Sequence, residues 1–249
     1  MYSQDYSFEK PDLPKDGLKK TKKWYQRWWG ATIIVVLAVF LSISVAIGFY
    51  AGKVIFLLRS GELTPEKIFG EEIIKRNLLA LTTEDSPSFG IKDARVVIVL
   101  FADFQCPACY SAYTVVKRLR REYRDKIFFV FRDFPLIADH QNSLLAAMAA
   151  NCANEQGKFW EMHDKIFENQ LNITETTLKT YAIQLGLHSM EFGECISSGK
   201  YLEKIERDLE DGWLAGVRAT PTFFINGIKV EGAAPMQVFE EFINFESSR

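Results

Sequence analysis

The chain has 249 residues and is 48% hydrophobic, enough for one sizeable folded domain with an appendage and too apolar for general disorder. Its formal net charge of −2 hides an uneven distribution: Lys19, Lys20, Lys22, Lys23 and Arg27 cluster with no acid between Gly17 and Gly30, while residues 60–249 hold 28 acids against 21 bases, which excludes a nucleic-acid binder by charge. Four cysteines in a chain this long exclude a disulfide-stapled miniprotein.

In chain order, residues 1–23 are polar and carry Pro11, Pro14 and Gly17, which predicts a disordered tail. Residues 30–52 contain no charged side chain over 23 positions, and a helix needs about 20 to cross a hydrocarbon core. Trp24, Tyr25, Trp28 and Trp29 stand just before this run, as an interfacial aromatic belt does. The basic cluster lies on the same flank, with Lys53 and Arg59 on the other. The positive-inside rule then places the N-terminus in the cytoplasm and residues 60–249 outside, tethered to the bilayer by a single pass. A cleaved signal peptide is the competing reading; its apolar run is shorter, about 7–15 residues. Export brings the cysteines into an oxidising compartment.

Beyond the anchor, Thr64-Pro65-Glu66 reads as a helix start, with Ile68, Phe69, Ile73, Ile74, Leu78 and Leu81 at helical spacing. This helix is expected to pack on the domain; a stalk or a dimer contact are the alternatives. Residues 82–88 read as a linker punctuated by Pro87. The plan is thus a cytoplasmic tail (1–29), an anchor (30–58), a juxtamembrane helix and linker (59–87) and a folded domain (88–249).

Within the domain, residues 95–101 form an apolar strand suited to burial on both faces. Residues 107–124 read as a helix whose basic far end is a solvated face. Residues 127–131 form a second strand. Residues 139–213 are almost wholly helical in pattern and interrupt the α/β unit, giving an insertion over about 138–213. Residues 222–225 and 228–230 flank Asn226-Gly227, a strong hairpin signal. A helix over about 235–245 closes the chain. The order strand, helix, strand, helical block, hairpin, helix predicts an α/β mixed sheet flanked by helices.

Chemistry concentrates in Cys106-Pro107-Ala108-Cys109, between the first strand and the first helix of the domain. A thiol at a helix start meets unpaired backbone N–H groups and the positive end of the dipole, which stabilise its thiolate. Pro107 suits the first helical position because its missing N–H costs nothing there. A second thiol one turn further in makes the pair fit for dithiol–disulfide exchange. Half a zinc site or a structural disulfide are the rival readings, but no second CxxC or nearby paired histidine supplies the rest of a zinc set.

These residues resemble a known family. The stretch Phe101-Ala102-Asp103-Phe104-Gln105-Cys106-Pro107-Ala108-Cys109 resembles the active-site segment of the DsbA-like thiol–disulfide oxidoreductases. Asn154-Glu155-Gln156-Gly157-Lys158-Phe159-Trp160 is similar to part of their inserted helical domain, and Gly216-Val217-Arg218-Ala219-Thr220-Pro221-Thr222-Phe223-Phe224-Ile225-Asn226-Gly227 to their cis-proline region. The likeness runs from about residue 88 to the C-terminus with its motifs in order. It implies a thioredoxin-like fold with an all-helical insertion, here preceded by one transmembrane helix.

The resemblance implies that Cys106 is the exposed attacking cysteine and Cys109 its buried partner, with Pro107 and Ala108 between them. It makes Thr220-Pro221 the Thr–cis-Pro element facing the disulfide, where proline cannot donate and neighbouring backbone groups are left to pair with an extended substrate. Cys152 and Cys195, on different predicted helices, are expected to pair, as a second bond sometimes does in relatives; separate buried thiols are the alternative. Closing a loop of about 44 residues stabilises by about 4 kcal/mol on the chain-entropy estimate. The sequence departs from the family at Leu100, where many members carry an acid six residues before the first cysteine. Asp103 with nearby water is one substitute for that acid; an ordinary turn cap is its other reading. His140, His163 and His188 read as structural or surface residues, at most one of them approaching the active site, and Phe104, Phe159 and Trp160 read as core packing.

The function expected is that of a membrane-tethered protein disulfide oxidoreductase that introduces disulfides into exported proteins. Its substrates are reduced, unfolded exported chains, and the resemblance implies a membrane quinone-linked reoxidant of the DsbB or VKOR type. No flavin, nucleotide or metal motif is present, so no cofactor is expected. A disulfide reductase or isomerase of the same fold, an extracytoplasmic copper chaperone using the two thiols as soft ligands, and a noncatalytic tethering module are the competing functions.

Overall fold

A computed structural model describes residues 28–59 and 81–248. The expected tail and all but the last residue of the helix expected to start at Thr64-Pro65-Glu66 lie outside the described residues, as do Trp24 and Tyr25. The chain divides into two compact units, residues 1–64 and 65–249.

In the first unit, α1 spans Trp28–Arg59. Its stretch Thr32–Tyr50 is 19 residues long and uncharged, with a mean hydropathy of 2.7. At 1.5 Å per residue that is about 28 Å, close to the hydrocarbon thickness of a bilayer. The hydroxyls of Ser42 and Ser44 donate to the carbonyls of Val39 and Phe40, so neither needs a partner off the helix.

The second unit is built on a five-stranded mixed sheet of β1 (Ser88–Gly90), β2 (Val96–Ala102), β3 (Ile127–Asp133), β4 (Thr222–Ile225) and β5 (Ile228–Glu231), ordered β1-β3-β2-β4-β5. Strands β2 and β3 run parallel, and every other neighbouring pair is antiparallel. The parallel pair needs a crossover, which α2 (Pro107–Glu122) supplies. Alternation along the central strands divides the core. Val96, Ile98, Leu100 and Ala102 face one side with Phe129, Phe131, Phe223 and Ile225; Val99 and Phe101 face the other with Val130 and Phe224. Both faces are apolar, which is why β2 reads as an unbroken hydrophobic run.

Between β3 and β4 lie α3 (Ser143–Asn154), α4 (Phe159–Glu168), α5 (Glu175–Gln184), α6 (Ser189–Ser198) and α7 (Leu202–Leu214), and α8 (Met236–Ser247) ends the fold. This is the predicted thioredoxin-like architecture with its all-helical insertion. Thr174 caps α5 by accepting from the Thr177 N–H, and Gly199 ends α6 in the left-handed region. Helix α7 comes so close to the sheet that a Cβ on Gly212 would stand 2.7 Å from the Phe134 ring. Asn226 and Gly227 both have positive φ, as a tight hairpin requires.

Two features differ from the sequence expectation. Strand β1, absent from the expected elements, starts at Ser88, the last residue of what reads as a linker; its one large side chain, Phe89, stacks on Phe129 with centroids 4.8 Å apart. Strand β3 continues past Phe131 through Arg132 and Asp133, both buried. Charged residues read as a strand end, yet here each meets an opposite charge on α7: Arg132 with Asp208, and Asp133 with Lys204.

Candidate active site

Strand β2 delivers Cys106 to the mouth of α2. Cys106 is the N-cap, extended at φ −70° and ψ 124°, and Pro107 takes the first helical turn. Both cysteines are buried, Cys109 one turn in at 2% exposure and Cys106 at 7%, so Cys106 is the less covered of the two rather than the exposed residue expected, because the Thr220 segment lies over its sulfur. Both thiols are free. The Cys106 S–H donates to the Thr220 carbonyl at 3.2 Å, and the Cys109 sulfur accepts from the Asp103 N–H at 3.4 Å. The Thr220-Pro221 peptide bond is cis, and the hydrogen bond from Cys106 to the Thr220 carbonyl brings the segment before β4 against the outer thiol. Pro107 is exposed at the surface of this site and Ala108 half-buried.

The two thiols are driven apart in acidity. The Cys106 thiol falls from an ordinary 9.0 to about 5, first because the Cys109 thiol donates to its anion, with the Thr220 side chain and the amides of Cys109 and Ala108 adding to this against the cost of burial. Thr220 Oγ1 meets no partner at ordinary hydrogen-bond geometry, so its help comes from a hydroxyl close to the anion rather than from a well-formed bond. Burial pushes the Cys109 thiol up, and the negative sulfur beside it adds to the rise. At neutral pH the outer sulfur is therefore ionised and the inner one protonated.

Three further side chains brace this turn: Gln105 from the active-site segment itself, His140 as the one histidine that approaches it, and Gln170, which carried no signal in the sequence. Gln170, just past α4, donates to the carbonyls of both Phe104 and Cys106 at 2.9 Å. Gln105 accepts from the Asn142 N–H at 2.5 Å. His140 reaches the buried Asp103 carboxylate with its Nδ1 at 2.7 Å. Asp103 thus caps a turn, accepting from the Gln105 N–H, and also ties the turn to the loop after β3. Of the other histidines, His163 is buried among aromatic rings and His188 is exposed. Phe104 and Phe159 are core residues, while half-buried Trp160 donates to the Ser88 carbonyl.

Away from the dithiol, Cys152 on α3 and Cys195 on α6 are joined, with Cα atoms 5.9 Å apart. A cavity of about 480 Å³ opens beside the active-site turn, lined by Tyr110, Phe167, Gln170 and Leu171 among others. Among the described residues no group of three or more His, Cys, Asp or Glu side chains is arranged to hold a metal ion.

Comparison with known proteins agrees with this geometry. Residues 82–244, about two thirds of the chain, match a family model described as Thioredoxin. Curated relatives include a Na(+)/H(+) antiporter NhaA 1 of Mycolicibacterium vanbaalenii, 35% identical over 145 residues, which is 57% of this chain and 24% of that protein. A Na(+)/H(+) antiporter NhaA 3 of Salinispora tropica is 37% identical over 143 residues, 57% of this chain and 22% of that protein. The chain spans about a quarter of the length of these relatives.

Among solved structures, BdbD from Bacillus subtilis in its oxidised form has a TM-score of 0.59 at 24% identity, covering 68% of this chain and 96% of that one. Wolbachia pipientis alpha-DsbA1 has a TM-score of 0.61 at 24% identity, covering 69% and 96%. A thioredoxin-like oxidoreductase from Silicibacter pomeroyi has a TM-score of 0.59 at 22%, covering 68% and 97%. At these identities the likeness is one of fold. The helix-mouth dithiol, the sheet that carries it and the family match over residues 82–244 together place this chain in the thioredoxin family, with the fold of the DsbA-like thiol–disulfide oxidoreductases.

Proposed function

We propose that this protein is a membrane-tethered thiol–disulfide oxidoreductase that introduces disulfides into exported proteins through Cys106 and Cys109. The observation that carries the reading is the pair of free thiols at the mouth of α2, with Cys106 as its N-cap against the Thr220 carbonyl and Cys109 buried one turn in, an arrangement that lowers the pKa of the first thiol and raises that of the second. In the oxidised protein a substrate thiolate attacks the Cys106 sulfur. The Cys106–Cys109 bond breaks, and Cys109 leaves and takes a proton. A second substrate thiolate then attacks the substrate sulfur of the mixed disulfide, forming the substrate disulfide and expelling Cys106 as a thiolate. A low-pKa thiol is a good leaving group, and a protonated Cys109 is a slow competitor for the mixed disulfide. Both effects drive transfer toward the substrate.

The remaining assignments follow from this reading. Pro107, Ala108, Thr220 and Pro221 shape the surface where an extended substrate meets Cys106, and the Cys152–Cys195 bond staples the insertion. Helix α1 anchors the protein, with the N-terminus in the cytoplasm and the domain from residue 88 outside, on the strength of its uncharged 19-residue stretch and the basic cluster before it. Reduced, unfolded exported chains are the substrates, and a membrane quinone-linked partner of the DsbB or VKOR type restores the disulfide.

Equilibration with glutathione buffers tests the direction. Oxidases of this kind lie near about −120 mV, and thioredoxin near about −270 mV. The expected value lies toward the oxidising end, with oxidation of a reduced, unfolded substrate that is lost in Cys106→Ser. A value near thioredoxin's would sink the oxidase reading in favour of a reductase.

A further inference from the structure

Asp103 stands three residues before Cys106, and its backbone N–H and carbonyl touch one cysteine each. Its N–H donates to the Cys109 sulfur at 3.4 Å, and its carbonyl accepts from the Cys106 N–H at 3.2 Å. Its side chain has no exposure at all. The carboxylate accepts from three donors: the Gln105 N–H at 2.7 Å, the Leu136 N–H at 2.8 Å and His140 Nδ1 at 2.7 Å. A carboxylate oxygen serves here as acceptor, so His140 meets it with the hydrogen on Nδ1. Two of the donors are backbone groups; His140 is the side chain among them, and it lies partly at the surface.

We propose that His140 is a positioning residue for thiol–disulfide exchange: by holding the Asp103 carboxylate, it keeps the Asp103 N–H on the Cys109 sulfur and so assists the step in which Cys109 attacks. The inference rests on the redox reading above and assigns a specific step to a residue outside the CxxC segment. It matters here because Leu100 places no ionisable group on the strand beneath the thiols. A thiolate on Cys109 must form in an apolar surrounding, and a backbone N–H already aimed at the sulfur favours that anion.

Glutathione disulfide separates the two sulfurs in time. The Cys106 thiolate attacks one sulfur of the probe; the probe's S–S bond breaks, one glutathione thiolate leaves, and a Cys106–glutathione mixed disulfide forms. Cys109 then loses its proton to water and attacks the Cys106 sulfur. The protein disulfide closes and the second glutathione thiolate leaves. The protein dithiol is oxidised by two electrons, and the probe is reduced to two thiols. The first step depends on the groups that face the Cys106 sulfur, among them the Thr220 carbonyl and side chain, the Cys109 thiol and the amides of Ala108 and Cys109. The second depends on Cys109.

The test is rapid mixing of the reduced full-length protein, in detergent, with glutathione disulfide, followed by acid quench and intact-mass analysis of the mixed disulfide. In His140→Ala the first step keeps its wild-type rate, which also reports an intact fold. The second slows by about tenfold, the scale of one hydrogen bond to a charged group, so the mixed disulfide accumulates and its decay moves to higher pH. In His140→Asn, whose amide still offers an N–H to Asp103, the second step returns toward wild type. Equal slowing of both steps, an unchanged second step in His140→Ala, or no rescue by asparagine overturns the assignment. A wild-type protein inert to the probe would instead sink the redox reading and this inference with it, so the two failures are told apart.

Discussion

The side-chain amide of Gln170 donates to the main-chain carbonyl of Cys106 at 2.9 Å, and the same nitrogen donates to Phe104 at 2.9 Å. One residue of the helical insertion therefore holds the turn that the thioredoxin sheet presents. Gln170→Ala removes both bonds. At about 1 kcal/mol each, the loss is about 2 kcal/mol, or about 4–8 °C in Tm for a domain of this size. The acidity of Cys106 is expected to stay as it is, because Gln170 touches carbonyls and not the sulfur. Thermal melts with a parallel thiol titration check this; an unshifted Tm would show that the clamp contributes nothing.

The second prediction concerns pH. Cys106 titrates near 5 when folded and near 9.0 as an ordinary thiol. Between those values the unfolded reduced chain binds more protons than the folded one, so stability rises with pH. The contribution of this group is complete above about 9, shrinks as pH falls, and is gone below about 5. Cys109, pushed upward by burial, titrates above this window and does not cancel the trend within it. The oxidised protein has neither thiol. The stability of the reduced form relative to the oxidised form is expected to climb from pH 5 toward pH 9 in matched denaturant titrations. A flat difference across that range would mean that Cys106 is an ordinary thiol.

Much of this was legible in the chain, for identifiable reasons. A CxxC between an apolar run and a helix with proline at its first position specifies a helix-mouth thiol from local chemistry alone, and Asn226-Gly227 specifies a hairpin in the same way. What stayed hidden depends on partners distant in sequence. Phe89 finds its strand partner in Phe129, 40 positions onward, and packs there against Trp160 as well. Gln170 and His140 are ordinary polar residues until the fold brings them 64 and 37 positions back to the active-site turn. Arg132 and Asp133 look like a strand end because their counter-charges lie about 70 residues onward.

The third prediction is for the bond between Cys152 and Cys195. It closes a loop spanning four helices of the insertion, and the chain-entropy estimate for a sequence separation of 43 is about 4 kcal/mol. The double substitution Cys152→Ala with Cys195→Ala is expected to lower stability on that scale. The Cys106–Cys109 potential is expected to hold, because neither residue contacts the dithiol through any hydrogen bond or ion pair of the active-site turn. Denaturant unfolding and glutathione equilibration measure the two quantities separately. A large shift in potential with little loss of stability would reverse the assignment of this bond from staple to redox partner.

The fourth prediction tests what holds the end of β3 against α7. Lys204 Nζ lies 2.8 Å from a carboxylate oxygen of Asp133 and 2.8 Å from one of Asp208, and all three residues are buried. Arg132, with no exposure, donates to Asp208 at 2.7 Å and to the Leu81 carbonyl at 2.9 Å. Asp133 also accepts from Asn151 at 2.7 Å. Charges taken out of water this completely are tolerated because each has an opposite partner and further hydrogen bonds. Lys204→Met strips a cation from two buried carboxylates and is expected to cost about 3–5 kcal/mol. Asp133→Asn alone leaves Lys204 with Asp208 and costs less. Combined, the two changes should cost less than their sum, because removing the second charge relieves the desolvation exposed by removing the first. A double-mutant cycle by denaturant unfolding reads this coupling directly. Strict additivity would mean that Lys204 and Asp133 do not act as a pair, and that apolar packing around Phe101, Phe134 and Gly212 is what seats α7 on the sheet.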